Sequence, residues 1–182
     1  MPVTEHLLVH TCCAPCLIAP HRQLKEEGIR HGVFWFNPNI HPYTEYKARL
    51  DTLKAFAEKE GLPLLLADGY GLDEFVKNTI GDLANRCEYC YRTRLEATAK
   101  TAAEQGFSAF TTTLLYSKYQ KHELIRQVAE EMSAKYGIPF FYRDWRSLWQ
   151  EGIELSKREQ MYRQKYCGCI FSEEERYLRK RR

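Results

Sequence analysis

The sequence predicts an α/β fold: a mostly parallel, five-stranded sheet flanked by helices, in one domain spanning residues 1–182. Three observations predict it. Short apolar segments alternate with longer amphipathic ones along most of the chain. The apolar segments are near-continuous, as strands buried on both faces are. Glycines close several of the amphipathic segments, as they close helices. In sheets of this kind the ligand site forms at the carboxyl ends of the strands, where strand order reverses.

The elements follow in order. "HLLVHT" (6–11) reads as strand one, and the segment from Pro15 to Gly28 as a helix with proline in its first turn. "GVFWFNP" (32–38) is strand two, stopped by Asn37 and Pro38. A helix from about Tyr43 to Lys59 places Leu50, Leu53 and Ala57 on one face and ends at Gly61. "LPLLLAD" (62–68) is strand three. Residues 69–106 break the rhythm with a short helix, a loop, and a helix that starts at "CEYC" and ends at Gly106. "FSAFTTTLL" (107–115) is strand four, with a helix after it that shows Leu124, Ile125, Val128 and Met132 on one face. "PFFYRDW" (139–145) is strand five. The segment from about 147 to 182 is helical in tendency, interrupted by "YCGC" (166–169), and is expected to pack on the site. With strands one and four as central neighbours, the order reverses between "HTCCAPC" and "TTTLLYSKYQKH".

Composition limits the function classes. Hydrophobic residues are 44% and charged residues 28%, which excludes disorder over most of the length. A net charge of +3 permits a nucleic-acid partner without requiring one. "MPVTEHLLVH" lacks the basic and long apolar regions of a signal peptide, and "LPLLLA" is too short to span a bilayer. The expectation is a cytoplasmic protein with no membrane partner. Thiols stay reduced there, so clustered cysteines point to metal or catalysis rather than disulfides.

Seven cysteines fall into three clusters: Cys12, Cys13 and Cys16; Cys87 and Cys90; Cys167 and Cys169. Cys87 and Cys90 share one helix face, where the helix N-terminus and Arg86 favour the thiolate. Gly168 lets the backbone wrap closely around something bulky. A structural zinc site from Cys87, Cys90, Cys167 and Cys169 leaves the first cluster idle. A redox pair from Cys13 and Cys16 leaves the other four unexplained. Iron–sulfur ligation needs four thiolates, which residues far apart in sequence can supply. The surplus of three suggests a second, thiolate-bound metal or thiols kept for catalysis. Adjacent Cys12 and Cys13 are expected to point apart, and Cys16 is the most dispensable of the seven.

Four blocks, "LLVHTCCAPC", "NRCEYCYRTRL", "TTTLLYSKYQKHE" and "YCGC", run in order from about residue 7 to 172. Together they resemble the cobalamin-independent epoxyqueuosine reductases (QueH). The resemblance implies reduction of an epoxide on a cyclopentane ring to the alkene, at the wobble position of a tRNA. It implies a [4Fe-4S] cluster beside an additional metal ion, iron or zinc, an external electron donor, and a fold similar to the PP-loop ATPases. Cys12, Cys13, Cys87, Cys90, Cys167 and Cys169 are the cluster candidates. All seven, Cys16 included, are metal candidates, and the assignment of four to the cluster stays open.

Other residues carry weaker signals. Tyr116, Ser117, Lys118, Tyr119, Lys121 and His122 follow strand four, where they would hold a phosphate or give a proton; a solvated loop explains them as well. His10 is either a catalytic group beside the cysteines or a hydrogen-bonded core residue. Of Arg86, Arg92 and Arg94, one would offset a negative cluster and another meet phosphate; a solvated helix face explains them equally well. "NPNIHPYTEYK" (37–47) would stack an extruded base or simply turn into its helix. Asp82, before Cys87, is either a carboxylate ligand to the extra metal or a solvated loop residue, and the basic end "LRKRR" is an electrostatic aid to RNA binding. Two rivals remain: a PP-loop-like iron–sulfur enzyme that thiolates tRNA, and a non-catalytic zinc-stabilised RNA-binding module. "CCAPC" offers no glycine-rich phosphate cradle, which counts against ATP.

Overall fold

A computed structural model describes residues 6–67 and 69–178. The basic run 179–182 and Asp68, at the end of predicted strand three, lie outside the described residues. The elements in chain order are β1 (His6–His10), α1 (Ala14–Glu26), β2 (Arg30–Trp35), α2 (Tyr43–Glu60), β3 (Leu64–Leu66), α3 (Leu72–Thr79), α4 (Arg86–Glu104), β4 (Ala109–Thr112), α5 (His122–Tyr136), α6 (Trp149–Arg158) and α7 (Ile170–Tyr177).

The sheet is parallel and ordered β3-β2-β1-β4. Val9 of β1 sits between Val33 of β2 and Thr111 of β4. β1 is apolar on both faces because helices cover both: Leu7, Leu8 and Val9 are fully buried, each contributing about 1.5–3 kcal/mol. α1 packs on α6 and α4 on α5. α2 and α5 end at Gly61 and Gly137, both at φ +64°, the left-handed cap that glycine adopts at least cost.

The sheet has four strands among the described residues, not five. The segment predicted as strand five makes one parallel bridge, Phe140 to Phe110. Phe110 N–H donates to Pro139 O (3.0 Å) and Phe141 N–H to Phe110 O (2.8 Å), and the ladder stops there. Two of the side chains that follow are committed to α1 and its C-terminal end. Arg143 pairs with Glu27, and buried Trp145 donates from Nε1 to Gln23 Oε1 (3.0 Å). That pull takes the chain off the sheet edge. Predicted strand four is also shorter, because Thr113–Tyr116 turns into a 3-10 helix. Thr112 Oγ1 accepts the Leu114 N–H at its start.

β1 and β4 are neighbours, so the order reverses between them. The carboxyl ends of β1, β2 and β4 therefore deliver Thr11–Cys16, the 36–42 loop and the Thr113–Tyr116 turn to one edge of the sheet. No helix among the described residues is long and apolar enough to cross a membrane.

Candidate metal and substrate site

The first cysteine cluster closes into a triad. The chain bends at Cys12, and Cys13 is the extended N-cap of α1 (φ −173°, ψ 156°). Cys16 lies in the first turn of α1. As a result all three sulfurs lie within 4.8 Å of one another, and all three residues are buried. Cys12 Sγ is 3.9 Å from Cys13 Sγ, which is 2.9 Å from Cys16 Sγ. The expectation that Cys12 and Cys13 point apart fails, because the bend cancels the alternation of an extended chain. Cys16, expected to be the most dispensable, is the closest partner of Cys13.

Thr113 and Gln164 hold the triad from outside. Thr113 Oγ1 accepts the Cys12 N–H (3.3 Å), and Gln164 Nε2 donates to Cys13 Sγ (2.9 Å) and Cys16 Sγ (3.3 Å). Hydrogen bonds from Cys13 and Cys16 pull the Cys12 thiol well below its ordinary pKa. Burial holds Cys13 well above it, and hydrogen bonding to the other two thiols does the same for Cys16.

The other four cysteines converge between α4, α7 and the loop that precedes α7. Cys90 and Cys169 share a small apolar cluster with Phe75. Cys167, Cys169 and Cys87 lie close enough to Cys90 to disfavour its thiolate. Burial raises the Cys90 thiol to about 12 even though Arg94 opposes it. The sequence expectation of a thiolate favoured by the helix N-terminus is therefore reversed at Cys90, because desolvation outweighs the nearby cation. Cys167 opens onto the neighbouring cavity, yet burial still raises its pKa against the pull of Arg94 and of Gln120. Gln120 Nε2 donates to Cys167 Sγ (3.1 Å), while its Oε1 accepts from Tyr91 (2.7 Å).

Arg49, unmarked in the sequence, pins the Tyr166–Cys169 segment. It is 1% exposed, donates from Nε to Glu45 Oε1 (2.7 Å), and holds the carbonyls of Cys167 and Tyr166 (3.0 Å each). His41 secures the same segment: its N–H donates to Gly168 O (2.8 Å), and its Nδ1 accepts the Ile170 N–H (3.2 Å). Gly168 stands at φ +150°, and a Cβ there would meet Ile40 at 3.3 Å and Arg49 Nη1 at 3.4 Å. Gly168→Ala should cost about 1–3 kcal/mol in strain and loosen both flanking cysteines. Urea unfolding and bound-metal content would measure this, and an unchanged variant would contradict the packing described.

A cavity of about 860 Å³ runs from Cys12 and Cys16 to Cys167. That volume lies within the usual range of small-molecule sites, roughly 300–1,000 Å³. Tyr116, Tyr119, Trp149 and Tyr166 supply aromatic walls, and Arg163, Lys165 and Arg176 supply positive charge. Tyr116 is buried against Trp149 and donates to its carbonyl (3.1 Å). It fits there because residue 152 is glycine: a Cβ at Gly152 would lie 2.1 Å from the Tyr116 hydroxyl. Burial raises the Tyr116 pKa, so the phenol keeps its proton at neutral pH. Ser117 lines the cavity, and its Oγ accepts the Tyr119 N–H (3.2 Å).

The remaining sequence candidates lie elsewhere. Lys118 and Lys121 are exposed and are not among the lining residues. His122 is buried, with Nε2 3.0 Å from the Tyr142 hydroxyl. His10 is fully buried between Thr112 Oγ1 (2.9 Å) and Phe36 O (3.2 Å). Burial first, then Arg94, lowers its pKa to about 4, so it is neutral at neutral pH. Asp82 lies before α4 in an exposed turn and accepts from Asn85 Nδ2 (2.8 Å). Arg86 pairs with Glu175, and Arg92 with Glu88 and Glu131. Gln120 lies inside a quoted block and Gln164 just before another without being singled out, and Gly152 had no signal in the sequence.

The donor set fits thiolate-bound metal. Seven free cysteines gather at one edge of the sheet, three at ligand spacing around one point and four converging beside them. Two fully buried arginines, Arg49 and Arg94, offer positive charge to both groups.

The family described as "Epoxyqueuosine reductase QueH" matches residues 7–175. A protein of that name from Dehalococcoides mccartyi is 36% identical over 171 residues, covering 94% of each chain. Those from Thermotoga maritima and Acinetobacter baylyi are 34% and 35% identical, over 91% and 92% of this chain and 89% and 80% of their own. With a match that spans nearly the whole sequence and relatives of nearly its own length, the chain belongs to the epoxyqueuosine reductase QueH family.

Proposed function

We propose that this chain is an oxidoreductase that removes the epoxide oxygen of epoxyqueuosine in tRNA, leaving the alkene of queuosine and water. Two electrons come from an external low-potential donor and two protons from solvent, so the step balances. What carries the reading is the meeting of two thiol groups at one cavity in a chain of this family.

Cys87, Cys90, Cys167 and Cys169 would hold a [4Fe-4S] cluster, and Cys12, Cys13 and Cys16 an additional ion, iron or zinc. The triad has single-ion spacing; the other four are not packed to that spacing and suit a larger group. When bound, the cluster supplies electrons singly and the ion supplies Lewis acidity toward the epoxide oxygen.

The chain itself binds, orients and shields. Trp149, Tyr119 and Tyr166 offer faces on which an unstacked base can lie. Arg163, Lys165 and Arg176 meet phosphates on the cavity side, with Lys118 and Lys121 beyond it, giving a salt-dependent term in binding. Tyr116 stays protonated and hydrogen-bonded, which keeps the wall beside the triad fixed. His10 stays neutral in the core and holds β1 to β4 through Thr112. A fold similar to that of the PP-loop ATPases is part of this reading, and the parallel β3-β2-β1-β4 order supports it. Function in a reducing cytoplasm follows from the need for free thiols.

The test is anaerobic reconstitution, a low-potential donor and tRNA bearing epoxyqueuosine, read by mass spectrometry of the nucleosides. Queuosine should form without cobalamin. An unchanged epoxide, with full metal content and a donor shown to reduce the protein, refutes the reading.

A further inference from the structure

Arg94 is a buried cation with an unusual partner. It is 2% exposed, and Arg49, Arg86 and Arg92 near the same thiols each pair with glutamate. Among the described residues no carboxylate pairs with Arg94. Its Nη2 donates to Cys90 Sγ (3.0 Å) and its Nε to Cys90 O (3.2 Å). Its guanidinium lies over the Tyr91 ring at 5.8 Å. Burying an uncompensated charge costs several kcal/mol, so the position demands an anion. The thiols nearest its charge are Cys90 first, then Cys167 and Cys12: two from the four-cysteine group and one from the triad, with Cys167 and Cys12 also lining the cavity.

We propose that Arg94 is a positioning residue that neutralises the negative charge of the loaded four-cysteine group and thereby raises its reduction potential. The assignment rests on the function proposed above for the redox part, but not for metal binding. Reduction adds one negative charge to a group already negative, and a fixed cation 3.0 Å from a ligand sulfur opposes that cost. A guanidinium suits the task because it never loses its proton and can bond sulfur and carbonyl together. The charge acts through the cysteines, and Arg94 is not among the residues lining the cavity.

Two measurements test this on the full chain. The first is anaerobic Cd²⁺ titration of metal-free protein in a Cys13→Ser background, so that the four-cysteine group reports. Arg94→Met should lower Cd²⁺ affinity at least about tenfold, and Arg94→Lys should stay within about threefold of the parent. The second is the midpoint potential of the reconstituted cluster, which should fall in Arg94→Met by about 59 mV for each tenfold change in the one-electron reduction constant, and recover in Arg94→Lys. If Arg94→Met does not fold, Arg94→Gln takes its place, keeping hydrogen bonds without charge. Unchanged affinity and potential in a folded neutral variant overturn the proposal, as does an Arg94→Lys variant as impaired as the neutral one. Should the protein hold no iron–sulfur cluster, the functional reading fails and the Cd²⁺ series alone decides the role of Arg94.

Discussion

Cys13→Ser should leave the protein coloured and folded but lower turnover by at least about 10³-fold, roughly 4 kcal/mol of transition-state stabilisation. Cys13 joins the triad, with its sulfur 3.9 Å from Cys12 and 2.9 Å from Cys16. A hydroxyl is a far weaker ligand than a thiolate for a soft or borderline ion, so the site should lose its metal. The loss would be large because an ion held by the triad would supply Lewis acidity worth several kcal/mol. The opposite signature is expected for Cys90→Ser: the visible spectrum bleaches, because Cys90 belongs to the other thiol group. Iron and sulfide content, the visible spectrum and single-turnover rates measure the pair. A bleached Cys13→Ser, or a coloured and active Cys90→Ser, would show that the three-plus-four division is wrong.

Arg49→Met should destabilise the fold by about 3–5 kcal/mol, the cost of breaking one side of a buried ion pair. It leaves Glu45 buried without its cation and frees the carbonyls of Tyr166 and Cys167. Tyr162 still donates to the second Glu45 oxygen, and Tyr166 to His41 O, so the segment is loosened rather than released. At fixed metal content the melting temperature should fall by roughly 6–20 °C. The double variant Arg49→Met/Glu45→Gln should recover part of that, because the stranded carboxylate is gone. A single variant within about 1 kcal/mol of the parent would mean that Arg49 contributes little to the segment.

The amino-acid sequence alone determined the element order as far as α5, the parallel α/β class and the three cysteine spacings. These are local properties: apolar periodicity, glycine stops and i, i+3 spacing report on neighbours within a turn or a strand. The four ordered blocks were likewise enough to indicate the family. Tertiary structure decided the rest. "PFFYRDW" has the composition of a strand, but Trp145 and Arg143 find partners at Gln23 and Glu27, so it pairs at Phe140 alone. Cys12 and Cys13 converge because the chain bends at Cys12, a dihedral choice that residue identity does not announce. Three arginines flank the second cysteine pair, and sequence could not rank them; burial leaves Arg86 and Arg92 with glutamates and sets Arg94 against Cys90. Glu45 and Arg49 lie one helical turn apart and nothing in the sequence marks them. They are buried because Tyr166 and Cys167, more than a hundred residues later, fold over them, and a long-range partner of that kind leaves no periodic trace in the chain.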